Sequence, residues 1–240
     1  VDIIKPQPND HIVEIGPGKG ALTRHIIGKT RQLDIIEIDR DLIEILKSEL
    51  EKFDNYTVHS SDALQFDFAC FTDSDIRVIG NLPYNISTPL LFHLLSYADH
   101  IDDMTFMLQK EVVDRICAKV GTKQYGRLSI MLQYYCDVEA MFIIKPGAFK
   151  PSPKVDSAIV RLRPYKNQQY PLSDKHSLEL IVREAFSQRR KTIKNALKNL
   201  LDEPELISIG IAPKMRAENL SIEEFVTLAN HYHQLKINHL

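Results

Sequence analysis

The sequence predicts an α/β fold, in which a mostly parallel sheet carries helices on both faces, followed by a small all-helical domain. Two observations carry this prediction. Short apolar segments alternate with helical segments through the first half of the chain, which is typical of a parallel sheet. The last third shows helical spacing only. A chain of 240 residues is long enough for one such α/β domain and a small appendage.

The first two thirds of the chain supply the strands and their connecting helices. Strands are predicted at 11–15, 33–38, 56–59, 76–79 and 104–108, with a pair at 141–144 and 158–162. Helices are predicted at 21–27, 42–53, 88–95 and 110–119, while 127–135 fits either a helix or a strand. Each strand among the first four is followed by a polar or glycine-containing loop, so the loops are expected to meet at one edge of the sheet.

The last third of the chain begins at a composition change. Residues 164–171 are polar and proline-flanked and predict a linker, which divides the chain into domains at 1–165 and 171–240. Apolar residues then recur at helical spacing over 177–201, and this pattern predicts one long helix. Shorter helices are predicted near 203–207 and 222–232, the second of them with a capping box of Ser221 and Glu224.

Composition and charge restrict the class of protein. The chain is 44% hydrophobic and 26% charged, no apolar run reaches the ~18–20 residues that cross a bilayer, and the opening is unlike a signal peptide. Its three widely spaced cysteines fit neither a disulfide framework nor a metal site and predict buried thiols in a reducing cytosol. We therefore expect a cytoplasmic, monomeric protein without metal or membrane contact.

Charge is distributed unevenly along the chain. The formal net charge is −2, but residues 161–240 hold 13 Lys and Arg against 9 Asp and Glu. An excess of positive charge in the C-terminal part indicates an anionic partner for that part.

A glycine loop follows the first strand. Gly16 and Gly18 are followed by Ala21 at the spacing of a loose dinucleotide fingerprint, and Glu37 lies about 20 residues further on. Glycines let a ligand approach the backbone, and a carboxylate can accept hydrogen bonds from both hydroxyls of a ribose. The pattern serves NAD, FAD and S-adenosylmethionine equally well, and a purely structural tight turn uses the same residues.

Two further strand ends carry polar side chains. Asp62 follows the third strand and could accept a hydrogen bond from an adenine amine, although a turn or cap aspartate has the same sequence signal. Asn81-Leu82-Pro83-Tyr84 follows the fourth strand. Pro83 fixes its own φ and favours an extended Leu82, which holds Asn81 and Tyr84 on a stiff turn. An amide oxygen, a main-chain carbonyl and an aromatic ring suit a flat base with an amino group, whereas an ordinary turn with a packed tyrosine is the alternative.

Several segments resemble those of the ribosomal RNA adenine dimethyltransferases. They are 14–23 (EIGPGKGALT), 81–88 (NLPYNIST), 107–112 (MLQKEV), 125–129 (YGRLS), 146–157 (PGAFKPSPKVDS) and 186–192 (FSQRRKT). The resemblance extends over essentially the whole chain. It is greatest to the KsgA-type enzymes, which dimethylate two adjacent adenines in small-subunit rRNA. Erm-type enzymes, which act on large-subunit rRNA, are the nearer alternative, and the segments at 16–18, 186–192 and 216–220 favour the former.

The resemblance implies a Rossmann-like methyltransferase fold with S-adenosylmethionine as cofactor. The loop at Gly16 would hold its methionine part, Glu37 its ribose and Asp62 its adenine amine, while Asn81 spans cofactor and substrate. The remaining cofactor-binding candidates are Gly18, Ile38 and Ala63. The family also carries a Gln-x-Phe-Leu-type motif upstream of the point where this sequence begins, so a natural N-terminal segment is expected to precede Val1.

The expected chemistry is methyl transfer to an adenine N6, a poor nucleophile because its lone pair is delocalised into the ring. The Asn81 oxygen and a main-chain carbonyl near Leu82 would bind the two amine hydrogens and orient the nitrogen. Tyr84 would stack on one face of the flipped base and Phe149 on the other. Phe149 also fits a core aromatic beside a proline-rich turn.

Basic residues are concentrated in the long C-terminal helix. The predicted RNA contacts are Arg183, Arg189, Arg190, Lys191, Lys194 and Lys198. Three of them, Arg190, Lys194 and Lys198, recur every four residues and would form a stripe on a helix. A solvated helix face is the ordinary alternative. Lys123 and Arg127 could extend the surface.

Three other functions compete with an RNA adenine dimethyltransferase. A nicotinamide oxidoreductase would use the glycine loop and Glu37 but leaves the turn at Asn81 without a role. A DNA adenine methylase would share the chemistry of that turn. A non-catalytic assembly factor with a retained methylase fold is disfavoured because the residues of the cofactor and base sites are intact.

Overall fold

The computed structural model describes residues 2–71, 75–148, 155–188 and 190–238. The chain forms two compact units, the first of Val1–Val113 and Cys136–Lys166, the second of Asp114–Tyr135 and Asn167–Leu240. The sequence predicted a division by chain position, at 1–165 and 171–240. The structure instead groups the segment 114–135 with the C-terminal helices, so the chain passes between the units more than once.

The first unit is built on a seven-stranded sheet. Its strands are β1 (His11–Ile15), β2 (Gln32–Glu37), β3 (Tyr56–Ser60), β4 (Ile76–Asn81), β5 (Ile101–Gln109), β6 (Cys136–Ile144) and β7 (Ser157–Pro164). They lie in the order β3-β2-β1-β4-β5-β7-β6. The first five are parallel, and β7 is antiparallel to both of its neighbours. The predicted α/β class and the predicted pairing of the last two strands are confirmed.

Apolar residues fix the register of the central strands. In β1 and β2, four and five consecutive residues are buried, which is expected of parallel strands covered on both faces. Ile12, Leu33, Ile35 and Ile79 join one core cluster with Leu46 from the following helix. A one-residue slip would move each of these side chains to the other face of the sheet and break the packing, so the packing also fixes where each strand ends.

Arg77 connects the beginnings of the neighbouring strands β1, β4 and β5. Its guanidinium donates to Asp10 at 2.6 Å, to Asp103 at 2.9 Å and to the Ile4 carbonyl at 2.7 Å. The side chains of Arg77 and of both aspartates are largely buried. These carboxylates raise the pKa of Arg77 above its ordinary value despite its burial.

The helices were predicted with mixed success. The described α-helices are α1 (Thr23–Ile26), α2 (Arg40–Leu50), α3 (Ser87–Leu95), α4 (Lys110–Ile116), α5 (Arg127–Tyr135), α6 (Lys175–Ser187), α7 (Ile193–Ala196), α8 (Glu203–Ser208) and α9 (Ile222–Asn238). The segment 127–135, which the sequence left open, is helical. The predicted capping box holds: Glu224 N–H donates to Ser221 Oγ at 3.2 Å, and Ser221 N–H donates to Glu224 Oε2 at 2.7 Å.

The single long helix predicted at 177–201 is wrong. Between α6 and α7, Lys191 N–H donates to the Gln188 carbonyl at 2.9 Å, and the residues after Lys191 pair with another part of the chain. Thr192 bridges Arg216 in antiparallel fashion, and Ile193 N–H donates to the Met215 carbonyl at 2.7 Å. The apolar spacing continues from α6 into α7 although the helix does not, because Ile193 is buried like the apolar residues of α6. Spacing alone therefore could not reveal the turn.

Two further expectations were tested. No helix in the described ranges combines the length and hydropathy of a membrane span. Cys136 is buried, and burial raises the pKa of its thiol to about 12. Cys70 is exposed and Cys117 is half-buried, so the expectation that all three cysteines are buried is wrong for these two.

Candidate active site

The candidate site lies where β1, β2, β3 and β4 end. These strands are neighbours in the sheet and run parallel, so the loops that follow them share one edge. The loops carry the predicted cofactor and substrate residues. In an open parallel sheet this edge is where ligands bind.

The loop after β1 depends on glycine for its conformation. Gly16 and Gly18 have φ values of 63° and 59°, in the left-handed region that side-chain-bearing residues rarely adopt. A Cβ at either position would have no described atom within 4 Å. Conformation, not crowding, therefore requires glycine, and the space beside the loop is open to a ligand. Gly16 N–H donates to the Ile36 carbonyl at 3.0 Å, which fixes the loop to β2.

Glu37, the last residue of β2, has one carboxylate oxygen committed and one available. Its Oε1 accepts from the main-chain N–H of Ile38 at 2.9 Å and of Asp39 at 3.0 Å. These bonds orient the carboxylate and leave Oε2 for a ligand hydroxyl. Ile38 beside it is 66% exposed.

Asp62 is held in a similar way after β3. Its Oδ1 accepts from Leu64 N–H at 2.9 Å, and its second oxygen accepts no hydrogen bond within the described ranges. Ser61 N–H donates to the Glu37 carbonyl at 3.1 Å, which joins the two acidic loops. Ala63 is buried, so it contributes mainly backbone and a small side chain to this part of the site.

Asn81 is the last residue of β4. The strand continues through Gly80 to Asn81, which pairs with Met107, although the sequence predicted that the strand stops at Ile79. A Cβ at Gly80 would lie 2.6 Å from the Ile15 carbonyl oxygen, so glycine is required for the close approach of β4 to β1. Asn81 is exposed, and its side-chain amide has no hydrogen-bond partner among the described residues.

The Leu82 side chain is buried, and the main-chain N–H of Leu82 donates to the Met107 carbonyl at 3.3 Å. Only its main chain can therefore contact a substrate. Within the described ranges its carbonyl accepts no hydrogen bond, while the next carbonyl, of Pro83, accepts from Ile86 N–H at 3.2 Å. The Leu82 carbonyl is thus the available acceptor of the turn.

Tyr84 is held by hydrogen bonds at both ends. Ser87 Oγ donates to its carbonyl at 3.2 Å, and its hydroxyl bonds to Ser157 Oγ at 3.0 Å. The side chain is 37% exposed, so part of the ring is accessible. Phe149 and Arg189 lie outside the described residues, and their predicted roles stay predictions.

A cavity of about 550 Å³ adjoins Asn81. Its wall is mostly apolar and includes Leu22 and His25 from the glycine-loop side and Phe106 and Phe142 from the sheet. The cavity shows that Asn81 lies beside open volume within the first unit. A mostly apolar wall of this kind is typical of small-molecule sites.

Glu14 is a residue of this region to which sequence reasoning gave no role. It lies in β1, 2% exposed, and accepts a hydrogen bond from Thr23 Oγ1 at 2.7 Å. Burial raises the pKa of its carboxyl to about 7, although the hydrogen bond from Thr23 acts in the opposite direction. The sequence does contain a signal for this residue, because a glutamate inside a predicted buried strand is unusual.

The predicted RNA-contacting residues of the second unit differ in their partners. Arg183 pairs with Glu184 at 3.1 Å, and Lys194 pairs with Glu203. Arg190, Lys191 and Lys198 are exposed without a carboxylate partner in the described ranges. Because Arg190 lies outside both helices, the helical stripe proposed from i, i+4 spacing is wrong.

The pairing of Thr192 with Arg216 adds two residues that the sequence did not single out. Lys194 N–H donates to the Pro213 carbonyl at 3.2 Å, so the segment 213–216 runs beside the segment 190–194. Lys214 and Arg216 are exposed and, among described residues, have no carboxylate partner. We call Arg190, Lys191, Lys214 and Arg216 the basic surface of the second unit.

Comparison with known proteins identifies the family. The family model "Ribosomal RNA adenine dimethylase" matches residues 1–234. The chain belongs to the ribosomal RNA adenine dimethylase family. A curated relative in Marinomonas sp. (strain MWYL1), "Ribosomal RNA small subunit methyltransferase A", is 54% identical over 233 residues, which cover 96% of this chain and 88% of the relative.

Two solved structures share the whole fold of this dimethylase. A dimethyladenosine transferase from Plasmodium falciparum matches with a TM-score of 0.82 at 27% identity, covering 98% of this chain and 92% of that one. The 23S rRNA methyltransferase ErmE matches with a TM-score of 0.72 at 26% identity, covering 97% and 95%. The predicted methyltransferase fold, an enzyme that methylates ribosomal RNA, and S-adenosylmethionine as methyl donor are confirmed.

Proposed function

We propose that this dimethylase transfers methyl groups from S-adenosylmethionine to N6 of two adjacent adenines in small-subunit rRNA during ribosome biogenesis. The choice of the small subunit rests on the relatives: identity is 54% to a small-subunit methyltransferase but 26% to the 23S rRNA enzyme ErmE. The observation that carries the chemistry is the Asn81 amide, exposed at the end of β4 without a described partner. Action in the cytoplasm and as a monomer stays a prediction.

The cofactor fits the residues at the strand ends. Glu37 Oε2 would accept from the ribose hydroxyls, since Oε1 is occupied by main-chain N–H groups. The free oxygen of Asp62 would accept from the adenine amine, with Ile38 and Ala63 against the ring. The open space at Gly16 and its loop would take the methionine part. When bound, the cofactor supplies a methyl group activated by a positively charged sulfur.

Asn81 and Leu82 would orient the nucleophile. The Asn81 Oδ1 and the Leu82 carbonyl are acceptors, and each can bind one hydrogen of the target amine. Two such bonds favour a pyramidal nitrogen, whose lone pair is then directed at the methyl group. The contribution is orientation and electrostatics, not proton abstraction by a strong base. The first transfer forms the N6–methyl bond and breaks the sulfur–methyl bond, so that S-adenosylhomocysteine leaves and N6 loses one hydrogen as a proton. In the second transfer N6 therefore donates one hydrogen bond, to one of the two acceptors.

Tyr84 would stack on the target base once it is flipped out of the RNA. Its ring is accessible and tethered, and base-aromatic stacking contributes about 1–3 kcal/mol. Phe149 is our candidate for the opposite face. A sandwich between two rings suits a methylated amine, because stacking does not depend on the number of hydrogens on N6.

The basic surface of the second unit is proposed to bind RNA phosphates. Its four members come from two segments brought together by the Thr192–Arg216 bridge. Arg183 and Lys194, which the sequence also singled out, have carboxylate partners and would contribute less. Each phosphate contact releases counterions, so binding through this surface should depend on salt.

Asn81→Ala tests the assigned chemistry. We expect loss of methyl transfer from labelled cofactor to unmethylated small ribosomal subunits, with subunit binding within about twofold of wild type, because the amide contributes to orientation and little to RNA affinity. Wild-type turnover in this variant would overturn the mechanism. Large-subunit rRNA serves as the substrate control, and preferential methylation of it would overturn the proposed target.

Lys214→Glu with Arg216→Glu tests the basic surface. We expect weaker binding to small subunits. The slope of the logarithm of the binding constant against the logarithm of the salt concentration (the salt slope) should be smaller by about 1 for each phosphate that the variant no longer binds. Lys47→Glu is the matched control, since Lys47 is an exposed lysine of the first unit that pairs with Glu44. An unchanged salt slope in the double variant would show that this surface does not bind RNA.

A further inference from the structure

Ser157 is a buried polar residue at the edge of the sheet that carries the candidate site. It is the first residue of β7 and is fully buried. Because β7 runs antiparallel to β5, its beginning lies beside the end of β5, and Ser157 pairs with Gln109. On its other side it pairs with Ile144, the last residue of β6.

The Ser157 hydroxyl reaches away from its own strands. Within the described ranges its hydrogen-bond partner is the hydroxyl of Tyr84, at 3.0 Å and 73 residues away in the chain. A buried hydroxyl normally has a partner, and here that partner is the far end of a half-exposed aromatic side chain. The other end of Tyr84 is fixed through its carbonyl by Ser87 Oγ, and Ser87 is itself buried.

This arrangement constrains the ring. A tyrosine on a surface turn exchanges between rotamers, and only one of them presents the ring face at a given place. A bond to a hydroxyl on a rigid strand, at the tip of the side chain, opposes such exchange. The loop backbone is already stiffened at Pro83, so both the origin and the tip of the side chain are fixed.

We propose that Ser157 is a positioning residue that holds the Tyr84 ring in the orientation in which it stacks on the target adenine. The inference rests on the proposed function of Tyr84 and assigns no contact between Ser157 and the RNA. It predicts that Ser157 acts on turnover entirely through Tyr84. Preorganisation of this kind affects the reactive arrangement more than the binding of a large substrate through remote contacts.

Four variants test the proposal: Ser157→Ala, Tyr84→Phe, the two combined, and Tyr84→Ala. Steady-state methyl transfer to unmethylated small ribosomal subunits gives kcat and KM for each. We expect Ser157→Ala and Tyr84→Phe each to lower kcat about tenfold, which corresponds to 1.4 kcal/mol or about one hydrogen bond, with KM for subunits within about twofold. The double variant should also be about tenfold slower, not a hundredfold, because both changes remove the same bond.

Ser129→Ala is the matched control. Ser129 is a fully buried serine of the second unit that donates to the Arg115 carbonyl, and its replacement should lower the melting temperature without changing kcat. Tyr84→Phe keeps the test valid should Ser157→Ala fold poorly, since it removes the same bond from the half-exposed side.

The outcomes separate this inference from the proposed function. A multiplicative loss in the double variant would show that Ser157 acts independently of Tyr84 and would overturn the inference. Wild-type kcat in both Ser157→Ala and Tyr84→Phe, with an inactive Tyr84→Ala, would also overturn the inference but leave the role of the ring intact. Wild-type kcat in Tyr84→Ala would overturn the stacking role proposed for Tyr84, on which this inference rests.

Discussion

Replacement of Glu14 by glutamine should stabilise the protein at alkaline pH. Glu14 is 2% exposed in β1, and burial raises the pKa of its carboxyl from 4.5 to about 7. Its hydrogen-bond donor is a neutral hydroxyl, Thr23 Oγ1, which does not compensate the charge. Above neutral pH the folded protein must therefore hold a carboxylate without a cationic partner in its interior, and this costs free energy.

The sign and size follow from the two pKa values. Between pH 4.5 and about 7 the folded state keeps the proton that the unfolded state has lost, so the free energy of unfolding falls as pH rises. Each pH step of one costs about 1.4 kcal/mol, which gives about 3 kcal/mol in total, constant above about pH 7. Glutamine is neutral throughout and retains an oxygen that can accept from Thr23. The variant should match wild type near pH 4.5 and exceed it by about 3 kcal/mol at about pH 8.

Urea unfolding monitored by circular dichroism, without cofactor, measures this difference from about pH 5 to about pH 8.5. Glu49→Gln is the control, because Glu49 forms an exposed pair with Arg24 at 2.7 Å and exposed pairs contribute about 0–1 kcal/mol. Its effect should not follow the pH profile of Glu14→Gln. A difference between wild type and Glu14→Gln that is the same at every pH would refute the assignment of a raised pKa to this carboxyl.

Two further substitutions test the packing that supports the site. Gly80→Ala should lower the free energy of unfolding by about 2 kcal/mol or more and lower kcat, because its Cβ would lie 2.6 Å from the Ile15 carbonyl oxygen. Unfolding and turnover assays measure these two effects. A stable, fully active variant would show that β4 can move without consequence. Arg77→Met should cost about 3–5 kcal/mol because it leaves two buried aspartates unpaired, whereas Arg163→Met, at a half-exposed ion pair, should cost less than about 1 kcal/mol. Equal decreases in unfolding free energy in these two variants would contradict the assigned role of the Arg77 network.

The parts of the site that could be predicted from sequence are those encoded locally. Gly16 follows an apolar strand, Glu37 and Asp62 follow the next two, and the turn at Pro83 is evident from its composition. Their arrangement then follows from the rule that parallel strands end at one edge. The resemblance to the dimethyltransferases named the chemistry, and the family match confirms it.

What the sequence could not supply depends on pairing between distant segments. Nothing near Ser157 indicates that its hydroxyl meets Tyr84, since a serine that begins a strand has no distinctive signal. Arg216 lies beside the segment at Thr192 only through an antiparallel bridge. The same pairing stands where apolar spacing predicted a continuous helix. The spacing could not distinguish the two, because Ile193 can be buried in either conformation.

The fold alone does not determine which ribosomal RNA is methylated. The Plasmodium dimethyladenosine transferase and ErmE both match nearly the whole chain, with TM-scores of 0.82 and 0.72, and the second is a 23S rRNA enzyme. The chemistry proposed for Asn81 would recognise an adenine amine, which any RNA can present. Target choice must therefore come from contacts beyond the base, and phosphate-binding surfaces discriminate through the shape in which an RNA presents its backbone. The basic surface consists of two segments, and main-chain hydrogen bonds between them fix the spacing of its charges. Substitutions that shift the segment 213–216 should therefore alter the preference between RNA targets without altering the chemistry at N6.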